Sequence, residues 1–156
     1  MPFKFNHAAY ATQPIKVPAI GLELRVPLTP EISDNVMTII ETTNMPGFGP
    51  PLHRHPETEV FRVLEGSYLY EVNGKRFTAE AGDVVSIPGG AIHAFCNRSE
   101  RPAKQLIMIL PALDAVGFFN GLARVMRDGV PDTEALNRFS KRWDVEFLGP
   151  PIHAGK

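Results

Sequence analysis

The sequence predicts an all-β protein, either an antiparallel sandwich or a barrel. The first two-thirds of the chain consist of short apolar, β-branched stretches separated by Gly, Pro and Asn, which is typical of antiparallel β folds. Asn73-Gly74 lies between two such stretches and is the strongest short signal for a tight β-hairpin. Pro (15) and Gly (13) are abundant while 44% of residues are hydrophobic, so many turns surround a substantial core.

The predicted strands follow one another between residues 36 and 110. Val36–Thr43 is rich in β-branched residues, and Glu59–Leu64 alternates between apolar and polar positions before Gly66. The remaining predicted strands are Tyr68–Val72, Arg76–Ala79, Val84–Ile87 and Lys104–Leu110.

Beyond Pro111 the apolar residues take helical spacing. Asp114 is the expected N-cap of a first helix that runs to Gly129, and Pro131-Asp132 opens a second. The residues at helical spacing are Phe118, Phe119, Leu122, Val125 and Met126, then Leu136, Phe139 and Trp143. We expect both helices to pack an apolar face on the barrel, residues 1–111, and call residues 112–156 the C-terminal extension.

Composition and charge exclude several classes of function. The chain has 156 residues, enough for one domain, and its net charge of -1 gives no reason to expect nucleic acid or an anionic membrane as partner. Cys96 is the only cysteine, which excludes an intrachain disulfide and a cysteine zinc cage. Residues 1–19 lack the apolar stretch of a secretory signal, and the longest apolar run, residues 106–113, is too short for a bilayer. We therefore expect a cytoplasmic protein.

Three of the histidines occur in two compact stretches that also contain a carboxylate. His53 and His55 are two residues apart, so their rings point to one face of an extended segment, and Glu59 has the same parity. His93 follows the turn Pro88–Gly90 and begins a different strand. An isolated His-x-His pair occurs most often on a surface, but side chains from neighbouring strands of a closed sheet could converge inside it.

Three imidazoles and one carboxylate suit a divalent transition metal. Mixed nitrogen and oxygen ligands favour iron, manganese, nickel, cobalt, copper or zinc over calcium or magnesium. Four protein ligands leave one or two positions open in five- or six-coordinate geometry, as a reactive metal requires. The pattern leaves the identity of the metal open.

The two stretches resemble the two signature motifs of the cupin superfamily. The first motif is Gly, five residues, His-x-His, three or four residues, Glu, six residues, Gly. The second is Gly, five residues, Pro-x-Gly, two residues, His, three residues, Asn. All ten fixed positions are filled, by Gly47, His53, His55, Glu59, Gly66, Gly82, Pro88, Gly90, His93 and Asn97. We call residues 47–97, about a third of the chain, the motif segment.

The resemblance implies a double-stranded β-helix, the jelly-roll barrel of cupins, with one metal inside. The implied metal ligands are His53, His55, Glu59 and His93. Glu57 is a rival carboxylate, but the family spacing selects Glu59. The motif glycines are expected in turns that need positive φ, and the motif proline and asparagine in turns and barrel closure.

Neighbours with the parity of the ligands are expected to line a substrate pocket. These are Phe61 and Val63 after Glu59, and Phe95 after His93. Further candidates are Tyr68, Tyr70, Met37, Ile39 and Met108. An aromatic and aliphatic lining favours a flat or apolar organic ligand over a sugar or phosphate, although these rings could simply fill the barrel.

The remaining cysteine and histidines have no predicted catalytic role. Cys96 has the opposite parity to His93 and is expected to point outward into packing, with no base beside it. His7 and His153 lie near the termini and are expected to be exposed.

Cupins carry many activities, so the resemblance leaves several functions open. The leading hypothesis is a quercetinase-like, metal-dependent dioxygenase for an enolic, phenolic or flavonoid-like small molecule, with Glu59 as ligand and proton acceptor. The tail, a helical segment that ends at residues 146–151, loosely resembles those of small bacterial cupins grouped with quercetin dioxygenases. The alternatives are an isomerase, cyclase or lyase, and a non-catalytic module that binds metal and ligand.

Two expectations concern assembly. The C-terminal extension is expected to form either a lid over the barrel mouth or a dimer contact. A homodimer is expected by analogy with cupins, which commonly pair through their sheets.

Overall fold

The computed structural model describes residues 2–7 and 13–154. The strands are β1 Ile15–Val17, β2 Leu22–Leu28, β3 Thr38–Asn44, β4 Pro51–Arg54, β5 Thr58–Glu65, β6 Ser67–Val72, β7 Lys75–Glu80, β8 Val84–Ile87, β9 His93–Asn97, β10 Ala103–Leu110 and β11 Glu146–Pro151. The helices are α1 Pro30–Ser33, α2 Ala115–Val125 and α3 Thr133–Ser140, with short 3₁₀ turns at Pro18–Ile20 and Lys141–Trp143.

The strands form two antiparallel sheets that face each other. The larger sheet has the order β1-β2-β3-β10-β5-β8, and the smaller has the order β11-β4-β9-β6-β7. From β3 to β10 each connection crosses to the other sheet except the β6–β7 hairpin, so residues distant in sequence become neighbours. This architecture confirms the predicted all-β, double-stranded β-helix with short C-terminal helices.

The strands predicted between residues 36 and 110 all form, with ends shifted by two residues at most. Asn73 (φ 48°) and Gly74 (φ 81°) are both left-handed and close the hairpin between β6 and β7, as their sequence predicts. N-terminal strands were expected within residues 1–111 but without bounds; Pro27, which cannot donate to a ladder, lies inside β2 and obscures its pattern. The register between β2 and β3 shifts at that point, between Arg25 and Leu28.

The end of the C-terminal extension differs from the expected helical tail. Residues 146–151 form β11, an edge strand that pairs with β4 and sets Phe147 opposite His53. Pro150 and Pro151 are tolerated in β11 because it lies at the edge of the smaller sheet. The extension therefore returns to the barrel beside the strand that carries His53.

The core lies between the sheets and continues beneath the two C-terminal helices. Phe61 and Tyr70 are fully buried in it, with ring centroids 5.4 Å apart. Asp114 and Asp132 cap α2 and α3 as predicted, accepting hydrogen bonds from the backbone of Gly117 and Ala135. The buried helix residues Phe118, Leu122, Met126 and Leu136 belong to the same core cluster, which confirms that both helices pack on the barrel.

Across residues 2–7 and 13–154, no helix is both long and apolar enough to traverse a lipid bilayer.

Candidate metal centre

The fold brings the four sequence-predicted ligands to one point inside the barrel. One possible ligand atom from each of His53, His55, Glu59 and His93 lies within 4.8 Å of the other three. His53 on β4 is directly opposite His93 on β9 in the smaller sheet. Glu59 on β5 reaches them from the larger sheet. The group could hold a metal ion.

Each imidazole is oriented by a backbone carbonyl two residues away. The contacts of the Nδ1 atoms are His53 to Pro51 O at 2.7 Å, His55 to Glu57 O at 3.1 Å and His93 to Ala91 O at 2.9 Å. A carbonyl oxygen can only accept, so each Nδ1 carries a hydrogen and each neutral ring keeps its Nε2 lone pair. Metal-binding histidines are commonly fixed in this way, and the donor set therefore fits a transition metal.

Glu59 joins two of these rings. Its Oε2 lies 2.8 Å from His55 Nε2 and 3.0 Å from His93 Nε2, and the carboxylate is buried. Burial by itself raises the pKa of Glu59, but hydrogen bonds and charge from the two rings outweigh it and lower that pKa. Glu59 is therefore ionised at neutral pH and supplies an anionic ligand.

His53 and His55 have opposite protonation behaviour despite being two residues apart. Burial, followed by repulsion from His93 and His55, lowers the pKa of His53 to about 3. Burial also acts to lower the pKa of His55, but the neighbouring Glu57 and Glu59 carboxylates outweigh it and raise the value to about 10. At neutral pH and without a metal, His53 is neutral, whereas His55 is a cation with a second proton on Nε2. A metal that binds His55 Nε2 must displace that proton.

Glu57, the rival carboxylate, lies behind His55 rather than in the ligand cluster. Its Oε2 is buried 3.4 Å from His55 Nδ1 and, among the described residues, makes no hydrogen bond. Glu57 precedes the start of β5 at Thr58, where the strand alternation that places Glu59 inward begins. From outside the cluster, the Glu57 carbonyl orients the His55 ring and the Glu57 carboxylate stabilises its protonated form.

The turn before His93 is joined to the segment after His55. Gly90 N donates to His55 O at 2.8 Å, and a Cβ on Gly89 would lie 1.9 Å from Pro56 O. Gly89 is thus required by close backbone approach, which the sequence did not reveal. The expected left-handed φ is confirmed at Gly66 (85°), Gly82 (95°) and Gly90 (84°). The hydrogen bond from Gly90 to His55 thus links the turn that precedes His93 to the strand segment that carries His55.

An apolar cavity of about 80 Å³ opens beside the cluster, lined in part by His53, His55 and Glu59. Of the predicted pocket residues, Phe95 lines this cavity. Phe61 and Val63 are fully buried in the core and do not line it, although the Phe61 ring packs 5.5 Å from that of Phe95. Their assignment to substrate contact remains a prediction.

The five further pocket candidates do not line this cavity either. Tyr68 and Tyr70 are core residues, and neither they nor Met37 line the cavity. Ile39 and Met108 pair with each other at half-buried positions, whereas their neighbours Ile40 and Ile107 line the cavity. The parity of one strand cannot be carried to the next, because each loop resets which positions face inward.

Two polar residues that sequence reasoning missed, Thr42 and Asn44, also line the cavity. Asn44 Oδ1 accepts hydrogen bonds from Tyr68 Oη at 2.8 Å and from Thr42 Oγ1 at 3.3 Å. The motif residue Asn97 donates to Asn44 O at 2.9 Å, which agrees with its expected role in barrel closure. The available sequence signal was strand parity: Thr42 and Asn44 lie two and four residues after Ile40 and therefore share its inward face in β3.

The other singled-out residues lie away from the cluster. Cys96 is buried with Ala94 and Ile152 in a separate small cluster, and burial raises the pKa of its thiol, which does not favour a nucleophile. His7 and His153 are exposed, as expected.

Comparisons with known proteins agree with this geometry. Residues 41–109 match the family model described as a cupin domain. An 86-residue stretch is 36% identical to the epoxidase atD of Aspergillus terreus, covering 54% of this chain and 26% of that protein. The chain thus spans about a quarter of the length of this curated relative.

Two solved structures resemble the chain in fold. A predicted oxalate decarboxylase from Thermotoga maritima has a TM-score of 0.63 at 23% identity, covering 69% of this chain and 99% of its own. KdgF from Halomonas sp. has a TM-score of 0.59 at 16% identity, covering 74% of this chain and 98% of its own. At these identities the likeness concerns the fold alone. The cupin-domain match covers less than half of the chain, and the two neighbours share its fold.

Proposed function

We propose that this protein is a metal-dependent dioxygenase that acts on a small enolic or phenolic substrate through the site formed by His53, His55, Glu59 and His93. The observation that carries the proposal is the position of these four ligand groups, which converge within 4.8 Å beside an otherwise largely apolar cavity. A charged centre that opens into an apolar space suits an organic substrate with one ionisable oxygen.

The donor set indicates how the substrate would be activated. A divalent metal held by these residues supplies Lewis acidity, which lowers the pKa of a bound enol or phenol and prepares it for reaction with dioxygen. The three imidazoles bind as neutral ligands, with their orientation held by the Pro51, Glu57 and Ala91 carbonyls.

Glu59 is the proposed acceptor of the substrate hydroxyl proton. Both contacts to the histidine rings use Oε2, so Oε1 is the carboxylate oxygen turned away from those contacts. Proton transfer from the substrate oxygen to Glu59 Oε1 would leave Oε2 in place at the rings. The apolar wall of the cavity excludes water from this transfer and strengthens the electrostatic interactions within the site.

The comparisons add modest support for oxygen chemistry. The relative from Aspergillus terreus is named an epoxidase, an activity that places oxygen on an organic substrate. The match covers 26% of that protein, so we transfer neither its reaction nor its substrate to this chain.

Oxygen consumption by the reconstituted protein tests the proposal. Purified protein is loaded separately with iron, manganese, nickel, cobalt, copper or zinc, and oxygen uptake is recorded with a panel of enols, diketones, catechols and flavonols. We expect uptake that requires metal and substrate together, and loss of uptake in Glu59→Gln. Turnover without oxygen uptake would instead indicate an isomerase, cyclase or lyase. Binding without product would indicate a non-catalytic cupin.

We also propose that the protein is a cytoplasmic homodimer. Sedimentation equilibrium of the full chain tests the oligomeric state, and a single species at the monomer mass would contradict it.

A further inference from the structure

The cavity beside the metal cluster has walls of two different origins. The barrel contributes inward-facing residues of β3, β9 and β10, including Ile40, Phe95 and Ile107. The facing wall comes from the C-terminal extension and consists of Leu113, Phe118, Phe119, Leu122, Val145 and Phe147. These six residues lie outside residues 41–109, which match the cupin-domain model.

Three sets of contacts hold the extension wall in place. Thr38 Oγ1 donates to Leu113 O at 2.7 Å and accepts from Leu113 N at 3.0 Å, which fixes the entry to α2. Asn137 on α3 bonds both backbone groups of Phe147, at 2.7 and 3.0 Å. Phe147 in turn lies beside the metal cluster, with its ring centroid 6.1 Å from that of His53.

The third set is aromatic and anchors α2 on α3. The Phe118 ring stacks on Phe139 at 5.7 Å and meets Trp143 edge-on at 5.5 Å. Gly121 allows this approach, because a Cβ there would lie 2.7 Å from the Phe139 ring. Phe118 is thus fixed by packing, while the adjacent Phe119 is half-buried and contacts that aromatic cluster through Phe118. Phe119 is therefore the α2 ring in this wall that can be shortened with less loss of core packing than Phe118.

The volume of the cavity limits what it can hold. Sites for drug-sized ligands typically enclose about 300–1,000 Å³, whereas an apolar cavity of about 150 Å³ accepts benzene. At about 80 Å³ the cavity is smaller than both, so a single ring already fills it and requires the wall to yield slightly. A fused second ring would have to displace the extension wall, which the contacts above oppose.

We infer that α2, chiefly through Phe119, is a size filter that restricts this site to single-ring enols or phenols. The inference rests on the proposed function for the chemistry of the ligand, but the filter concerns binding and does not depend on oxygen use. Phe119 is a specificity-determining residue, and the fused-ring flavonols expected from the sequence fall outside the class that fits.

A pair of chelating probes that differ by one fused ring tests the filter. Catechol and 2,3-dihydroxynaphthalene present the same two hydroxyls, and their binding to the cobalt(II)-loaded full chain can be followed by its visible spectrum. We expect the wild-type protein to prefer catechol by at least about tenfold, since forcing extra atoms into a packed site is costly. Phe119→Ala should reduce this preference at least about fivefold, and Phe119→Leu by less.

The matched control is Phe77→Ala, which removes the same ring from β7, away from the cavity, where Phe77 is 40% exposed. Its probe preference should equal that of the wild type, and cobalt content should stay at one equivalent in all variants. Equal binding of both probes by the wild type, or an unchanged preference in Phe119→Ala and Phe119→Leu, would overturn the filter. If the protein prefers catechol over 2,3-dihydroxynaphthalene but consumes no oxygen, the dioxygenase proposal is contradicted while the size filter is supported. Binding of neither probe would overturn both.

Discussion

The motif segment and the C-terminal extension meet at one cavity but are specified in different ways. In the motif segment, the spacing of a few residues places His53, His55, Glu59 and His93 within 4.8 Å of one another. In the extension, the residues that face the metal cluster come from α2, β11 and the loops before them, and show no motif spacing. The metal ligands come from one region and one wall of the cavity, about a third of its lining residues, comes from the other. On the proposals above, chemistry and selectivity are therefore separable in this protein.

The largest effect is expected when one of the four metal ligands is removed, which tests whether the motif segment alone holds the metal. In His93→Ala we expect metal affinity to fall more than about a hundredfold, because even outer contacts of metal ligands are worth ten- to a hundredfold. Elemental analysis after gel filtration should find about one metal per wild-type chain and almost none in the variant, with circular dichroism unchanged. Full metal occupancy in the variant would show that the four residues are not the ligand set.

A core substitution in the extension should lower folding stability while leaving metal binding intact, the reverse of the effect expected for His93→Ala. Leu136 on α3 is 2% exposed and does not line the cavity, so Leu136→Ala should lower the free energy of unfolding by about 2–5 kcal/mol. Metal stoichiometry at temperatures where the variant is folded should stay unchanged. Urea unfolding together with metal analysis checks both parts, and loss of metal from the folded variant would contradict the separation of the two regions.

Glu57 tests how far the metal centre extends beyond its ligands. Glu57→Gln removes the carboxylate charge beside His55 Nδ1 while keeping the side-chain size, and we expect metal affinity to fall about ten- to a hundredfold. Competition with a chelator of known affinity measures the change. Glu71→Gln, which alters a carboxylate paired with Arg76 elsewhere in the barrel, is the matched control and should leave the affinity unchanged.

For a change of one pH unit, the pH dependence of metal binding is the smallest of these expected effects. Without metal, His55 has a pKa of about 10 and is protonated near neutrality, whereas His53, with a pKa of about 3, is neutral. Binding must release the His55 proton, so affinity should rise by about tenfold per pH unit between pH 6 and 9 and fall as pH falls. Calorimetry in buffers of different ionisation enthalpy counts the protons released. A count of zero would refute the protonation states described above.

Much of the fold was predictable because the strands alternate and end at residues with special turn geometry. Asn73-Gly74 closes its hairpin as predicted, and Asp114 and Asp132 cap their helices. Prediction failed where one residue obscured the pattern, as Pro27 does within β2. It also failed for β11, because a strand that pairs only at a sheet edge needs little local β signal.

By itself the sequence determined which side chains can hold a metal, since spacing within an extended segment and a turn before His93 are local properties of the chain. Only the tertiary structure decided what surrounds that metal. Thr42 and Asn44 face the cavity because of strand register, Glu57 lies behind His55 because β5 starts after it, and Phe119 and Phe147 reach the site across the fold. These placements depend on contacts between residues far apart in sequence, and no local pattern encodes such contacts.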